Sequence, residues 1–188
     1  LRNMDHDAAD AVPGVVQVVQ NPRWVAAIAN TWWAANRALD QLAPRFETTG
    51  IVDSAGTDAA LDRALDGAGE RMHLAGDVSA AMRGARVFTS TYSAQPLLHA
   101  APEPMAATAQ WGTGRLEMWL ATQAPEAARA AAAAAIGVAE RQVTIHPMLI
   151  GGQDGARLDL EMARQAAVLA YRLEKPVQVG WSRVEDLL

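Results

Sequence analysis

Glycines crowd one short stretch of the chain, Gly151-Gly-Gln-Asp-Gly-Ala-Arg157, just ahead of a helix signal. Glycine lets a ligand approach the backbone closely, and main-chain amides ahead of a helix favour an anionic group. The run is neither G-x-G-x-x-G nor a phosphate loop, because the Lys-Ser/Thr ending is missing. A plain strand-to-helix turn is the competing reading. Four histidines, His6, His73, His99 and His146, are scattered through the chain. None has a second histidine three or four residues away on a helix, so no metal site is assigned to protein side chains. His99 and Glu103 have H-x-x-x-E spacing, but Pro102 and Pro104 prevent a regular helix there, and the two side chains need not converge. No G-x-S-x-G elbow is present, which disfavours an α/β-hydrolase.

The elements that would position these residues fall into two textures. Asp5 caps a short helical turn, Pro13-Gly14 breaks it, and Val15 to Val19 and Trp24 to Ala29 read as strands. Thr31 caps a helix to about Leu42, Pro44 ends it, and Arg45 to Thr48 reads as a third strand. Thr57 to about Ala68 reads as an amphipathic helix with Leu61 and Leu65 on one face. A further short helix begins at Gly76-Asp77 and runs through Met82. This stretch reads as βαβ-like over residues 1 to about 83.

Beyond it, Ala85 to Ala94 is strand-like and Leu97 to Pro104 irregular. Met105 to Trp111 and Arg115 to Leu120 flank Gly112-Thr-Gly114, a hairpin signal. Pro125 opens a helix to Ile136, and Gly137 ends it. The alanine run 130–135 gives that helix a thin side suited to close packing. Val143 to Met148 reads as a strand. Asp159 to Glu174 reads as a helix stopped by Pro176, and Val177 to Trp181 as a last strand. The fold class is therefore α+β (mixed α/β), in two lobes.

Composition narrows the function. The 188 residues carry 16 basic and 21 acidic side chains, for a net charge of −5. A mildly acidic chain without a basic stripe argues against nucleic acid as a partner. Zero cysteine removes disulfides, thiolate metal sites and iron–sulfur ligation from this chain. No apolar run approaches the roughly 20 residues needed to span a bilayer. Alanine abounds and Lys175 is the only lysine, a coding bias of GC-rich bacterial genomes.

The order of segments along residues 84 to 188 is more specific than any one motif. It runs Tyr92-Ser-Ala-Gln-Pro-Leu-Leu-His-Ala-Ala-Pro-Glu-Pro104, Leu116-Glu-Met-Trp-Leu-Ala-Thr-Gln123, Ile136-Gly, Val143-Thr-Ile-His, Ile150-Gly-Gly-Gln-Asp-Gly-Ala-Arg157 and Pro176-Val-Gln-Val-Gly-Trp-Ser-Arg183. This series resembles the molybdenum hydroxylase (xanthine dehydrogenase/aldehyde oxidase) family, in its isoquinoline 1-oxidoreductase β-subunit branch. Residues 1–83, with Pro13-Gly-Val-Val, Val25-Ala-Ala-Ile-Ala and Trp32-Trp-Ala-Ala, resemble part of that family's a/b hammerhead domain. Residues 84–188 resemble the N-terminal part of its first molybdopterin-binding domain.

The resemblance implies an internal fragment of a large catalytic subunit. The full-length subunit hydroxylates an N-heterocycle or aldehyde with water as oxygen source. Its cofactor is molybdopterin, as the cytosine dinucleotide, carrying molybdenum held by the pterin dithiolene. A separate small iron–sulfur subunit takes the electrons. The catalytic glutamate falls beyond residue 188, so no catalytic residue is assigned here. The fragment alone is expected to be inactive and to carry no cofactor, and its uncovered faces permit self-association with other copies. The compartment, bacterial periplasm or cytoplasm, is left open.

In the family a Gly-Gly-Gly-Phe-Gly turn brings main-chain groups close to the metal centre. Gly151, Gly152 and Gly155 match glycines of that turn. Gln153 and Asp154 depart from it, replacing a glycine and the aromatic. The family also sets a glutamine near the metal's oxo ligand, and the alignment puts Leu97 at that position. A carboxylate about 5 Å from one negative charge costs roughly 3 kcal/mol at an effective dielectric of about 20. Asp154 must therefore point away or meet an arginine such as Arg157. Otherwise the chain is a degenerate, cofactor-free homologue with a structural or interaction role. A small independent anion-binding domain is a third reading.

Overall fold

Leu116, Met118 and Leu120 are buried while Arg115 and Glu117 are exposed, and this period-2 alternation sets the architecture around them. The computed structural model describes residues 1–48, 50, 52–94, 98, 100–152 and 155–187. Two compact units emerge, Leu1–Arg45 with Leu97–Leu188, and Phe46–Pro96. The observed fold is mixed α and β, as the sequence implies.

In the first unit, α1 (His6–Asp10) is capped by Asp5, whose carboxylate accepts from the Ala8 amide. The strands β1 (Val15–Gln20) and β2 (Val25–Ala29) form an antiparallel hairpin with an irregularity between Val15 and Gln17. The Thr31 hydroxyl caps α2 (Trp32–Leu42), and Ala9, Ala38 and Leu42 bury between the helices and the hairpin. Two expectations fail here. The β1–β2 connection is a hairpin rather than βαβ-like, because a turn at 21–24 is too short for a crossover. The strand expected over 45–48 reduces to one isolated bridge between Asn3 and Arg45.

The second unit carries α3 (Ser54–Asp66), capped by Asp53, and α4 (Val78–Met82), capped by Asp77. The helix expected from Thr57 forms; Leu61 and Leu65 of α3 are both exposed, and no described residue of this unit is buried. The strand expected over 85–94 does not form, since its described residues have no ladder partner. Strand propensity without a neighbouring strand has nothing to pair with.

The rest of the first unit is a four-stranded sheet, ordered β5-β4-β3-β6. β3 (Ala106–Gly112) and β4 (Arg115–Leu120) pair antiparallel through Thr113 and Gly114, both at positive φ, as a tight hairpin requires. From β4 the chain enters α5 (Pro125–Ile136) and returns as β5 (Val143–Pro147), parallel to β4. α6 (Glu161–Leu173) follows, then β6 (Val177–Gly180), antiparallel to β3, and α7 (Arg183–Leu187). Sequence reading did not anticipate α7.

One face of the sheet is covered by α5 and α6, which also pack on each other. Ala128, Ala132 and Ala133 of α5 and Ala163, Ala166, Ala167 and Ala170 of α6 are all buried there. Small side chains on both helices allow that close approach, which is what the alanine run suggested. Trp32 Nε1 donates to the Gly180 carbonyl at 3.4 Å and Arg23 lies 3.9 Å from Glu161, tying the β1–β2 part to the sheet. No helix of the described residues is long and apolar enough to cross a membrane.

Candidate functional site

The glycine run lies where the chain leaves β5 and approaches α6. Gly151 and Gly152 are exposed, and Gly152 adopts φ +71, a conformation that L side chains rarely take. Gly155, at φ +90, opens a single 3-10 turn, Ala156–Leu158. The amides of Gly151 and Gly152 have no hydrogen-bond partner among the described residues. Gln153 and Asp154 lie outside the described residues, as do Leu97 and His99, so the expectations placed on them do too.

Two neighbours fix the run. From the end of β4, Gln123 reaches across so that its Oε1 accepts the Gly155 amide at 3.2 Å, and the Gln123 amide in turn donates to the Arg157 carbonyl at 3.1 Å. On the other side lies the segment before β3. A Cβ on Gly152 would sit 3.7 Å from both Ala101 Cβ and Pro102 Cδ, ordinary contact. Glycine is needed there for its backbone angle, not for lack of room.

The 102–105 segment is itself clamped. Arg183 Nη2 donates to the Pro102 carbonyl at 2.9 Å, and Arg157 Nη2 to the Glu103 carbonyl at 3.0 Å. Asp186, with its side chain 1% exposed, accepts the Met105 amide at 3.0 Å and lies 3.3 Å from Arg183 Nη1. A contact between Arg157 and Asp154 was one of the arrangements expected, and Asp154 lies outside the described residues. Among those described, the Arg157 fork is held by the Glu103 carbonyl and by the Met105 thioether at 3.1 Å. The Arg157 Nε is buried without a partner.

The other sequence candidates are dispersed. His6 is hydrogen-bonded to Gln20, and His73 is exposed in the second unit. His146 stacks on Trp119 on the sheet face away from α5 and α6, with centroids 5.0 Å apart and Glu117 at 3.9 Å. Glu103 is exposed, and only its carbonyl joins the site. Among the described residues no cluster of three or more His, Asp or Glu could hold a metal ion. A cleft of about 540 Å³ lies elsewhere, between α1 and the end of α2, lined by Asn3, His6, Leu42 and Arg45 among others. It shares no residue with the glycine run, and its walls mix charges of both signs.

Around the glycine run the described residues offer hydrogen-bonding groups but no nucleophile–base pair or metal cluster. Exposed amides and a carboxamide can seat an electron-rich or anionic group, while the Arg157 and Arg183 guanidinium groups, engaged with protein acceptors, add positive potential nearby. The exposed donors suit a phosphorylated, oxo-bearing cofactor, whereas the orphaned Arg157 Nε is shut away inside the protein. Gln123 is the residue that sequence reasoning missed. Its signal was the Thr122-Gln123 pair directly after a buried strand and ahead of Pro125. Its role emerges only once the distant turn is folded against it.

Comparison with known proteins bears on the same residues. The family model described as "Molybdopterin cofactor-binding domain" matches residues 65–188. "Isoquinoline 1-oxidoreductase subunit beta" of Brevundimonas diminuta is 28% identical over 198 residues, covering 98% of this chain and 25% of that subunit. "Nicotinate dehydrogenase large molybdopterin subunit" of Eubacterium barkeri is 33% identical over 113 residues, covering 59% of this chain and 27% of that subunit. The crystal structure of quinoline 2-oxidoreductase from Pseudomonas putida 86 superposes with TM-score 0.69 at 21% identity, over 98% of this chain and 29% of that one. The Cu,Mo-CO dehydrogenase structure gives TM-score 0.70 at 20% identity, over 98% of this chain and 30% of that one. The chain thus spans about a quarter of the length of the curated relatives it matches.

Proposed function

Because this chain belongs to the molybdopterin cofactor-binding domain family of the molybdenum hydroxylases, we propose that its Gly151–Gly155 turn seats the cofactor in the full-length subunit. The observation that carries this reading is the turn itself: exposed amides at Gly151 and Gly152, with the Gln123 carboxamide fixed beside them. Gly151, Gly152 and Gly155 bring main-chain atoms within reach of a bulky group. The Gly155 amide is engaged by Gln123, so among the described residues of this turn the donors left for the cofactor are those of Gly151 and Gly152. The Gln123 carboxamide, held beside the turn by the Gly155 amide, is a further group that the cofactor would meet. Buried Arg157 lends the neighbourhood positive potential, which favours an anionic group.

When bound, the molybdenum–pterin group supplies the oxidation that hydroxylates an electron-poor carbon of an N-heterocycle or aldehyde, with water as oxygen source. We read the cofactor as the cytosine dinucleotide form. The partners are a small iron–sulfur subunit and the remaining domains of the same subunit. We read residues 1–83 as part of the hammerhead domain and 84–188 as the start of the molybdopterin-binding domain, a boundary that lies inside the family match beginning at residue 65.

The test is co-expression of the full-length subunit with its iron–sulfur partner. Metal content and oxidation of N-heterocycles and aldehydes are then measured. Gln153 and Asp154, which depart from the family turn, favour a second reading as a cofactor-free homologue. A folded, metal-free complex would select that second reading.

A further inference from the structure

Arg157 is 2% exposed, yet it is an arginine. Its guanidinium reaches the Glu103 carbonyl and the Met105 thioether, and its own carbonyl accepts from the Gln123 amide at 3.1 Å and the Thr122 hydroxyl at 3.3 Å. No carboxylate of the described residues lies within ion-pair distance, and Nε is unpaired. A buried cation with neutral acceptors and an orphaned N–H is a poor device for stability, since an apolar side chain of like volume commonly does as well. Geometry gives it a reason. A planar fork can hold two separate acceptors at fixed angles, which a lysine cannot do. Through side chain and carbonyl together, Arg157 joins residues 103–105 to residues 122–123.

We infer that Arg157 is the positioning residue of this site, fixing the Thr122–Gln123 main chain against the Glu103–Met105 segment so that Gln123 Oε1 meets the Gly155 amide. The inference deepens the proposed function, resting on the reading that Gln123 serves the cofactor. Arg157 acts through Gln123, and its removal loosens the turn without unmaking the sheet.

The experiment is amide hydrogen exchange on the 188-residue chain, comparing Arg157→Met, Arg157→Lys, Gln123→Ala and the Arg157→Met/Gln123→Ala double variant. Arg157→Met is expected to speed Gly155 exchange by about tenfold, the scale of one lost hydrogen bond, while amides of β3 and β4 keep their protection. Arg157→Lys does not rescue it. In the Gln123→Ala background, Arg157→Met adds nothing further at Gly155, since the two changes remove one linkage. Unchanged Gly155 protection in Arg157→Met, rescue by lysine, or fully additive effects would each overturn the inference. Should Arg157→Met fail to fold, Met105→Leu removes only the thioether acceptor at similar volume and is read the same way. In the loaded full-length subunit, the same variant lowers kcat with KM and metal content retained. A subunit without metal would defeat the proposed function while leaving the exchange result to decide on Arg157.

Discussion

Gly155 donates its amide to the Gln123 side chain at 3.2 Å, across 32 residues of chain. That bond closes a small circuit, because the Gln123 amide returns to the carbonyl of Arg157, two residues beyond Gly155. The end of β4 and the glycine turn are therefore one unit.

Gln123→Ala should leave the domain folded, because the side chain packs in no core cluster. The lost bond is worth about 1 kcal/mol. Denaturant unfolding should show a loss of that size. In the loaded subunit the same change should lower turnover far more than it lowers stability. Equal and small effects on both would remove Gln123 from the site.

Gly152→Ala should destabilise by about 1–2 kcal/mol, because alanine must adopt the left-handed φ of +71. Gly151→Ala meets no such strain, since no positive φ is assigned to Gly151 and nothing lies within 4 Å of its Cβ position. Thermal unfolding of the two variants side by side checks the contrast. A larger loss at Gly151 would contradict the described turn.

Leu116→Ala should cost about 2–5 kcal/mol, since Leu116 is fully buried beneath α5 and α6. Leu61→Ala, on the exposed α3, should change stability by less than about 0.5 kcal/mol. Urea midpoints of both variants test where the core lies.

Much of this architecture was legible in the sequence, and the legible parts share a cause. Asp5, Thr31, Thr113-Gly114, Pro125 and Gly137 act on their own neighbours, so their meaning survives without tertiary context. The alternation of Leu116, Met118 and Leu120 likewise states its burial locally. The failures are non-local. Residues 85–94 have strand-forming side chains but no partner strand, and Leu61 and Leu65 form a helical stripe with nothing to cover it. Gln123 escaped notice because its significance is a contact with a turn 32 residues away. Arg157 was singled out only as an arginine that Asp154 could meet, and its burial beside Met105 and the Glu103 carbonyl is a tertiary fact that its neighbours in sequence do not announce.

Asp154→Phe restores the aromatic of the family turn. With Asp154 directed away from the cofactor, wild type and variant should load molybdenum equally, as metal analysis of the full-length subunit would record. A carboxylate facing the cofactor would instead weaken binding by about a hundredfold. The variant would then load while wild type stayed empty.

Molybdenum content of the purified full-length subunit, wild type beside Gly152→Val, addresses the turn most directly. The account predicts stoichiometric metal in wild type and a folded but largely metal-free Gly152→Val protein. Equal loading of the two, or a folded wild-type subunit without molybdenum, would contradict it.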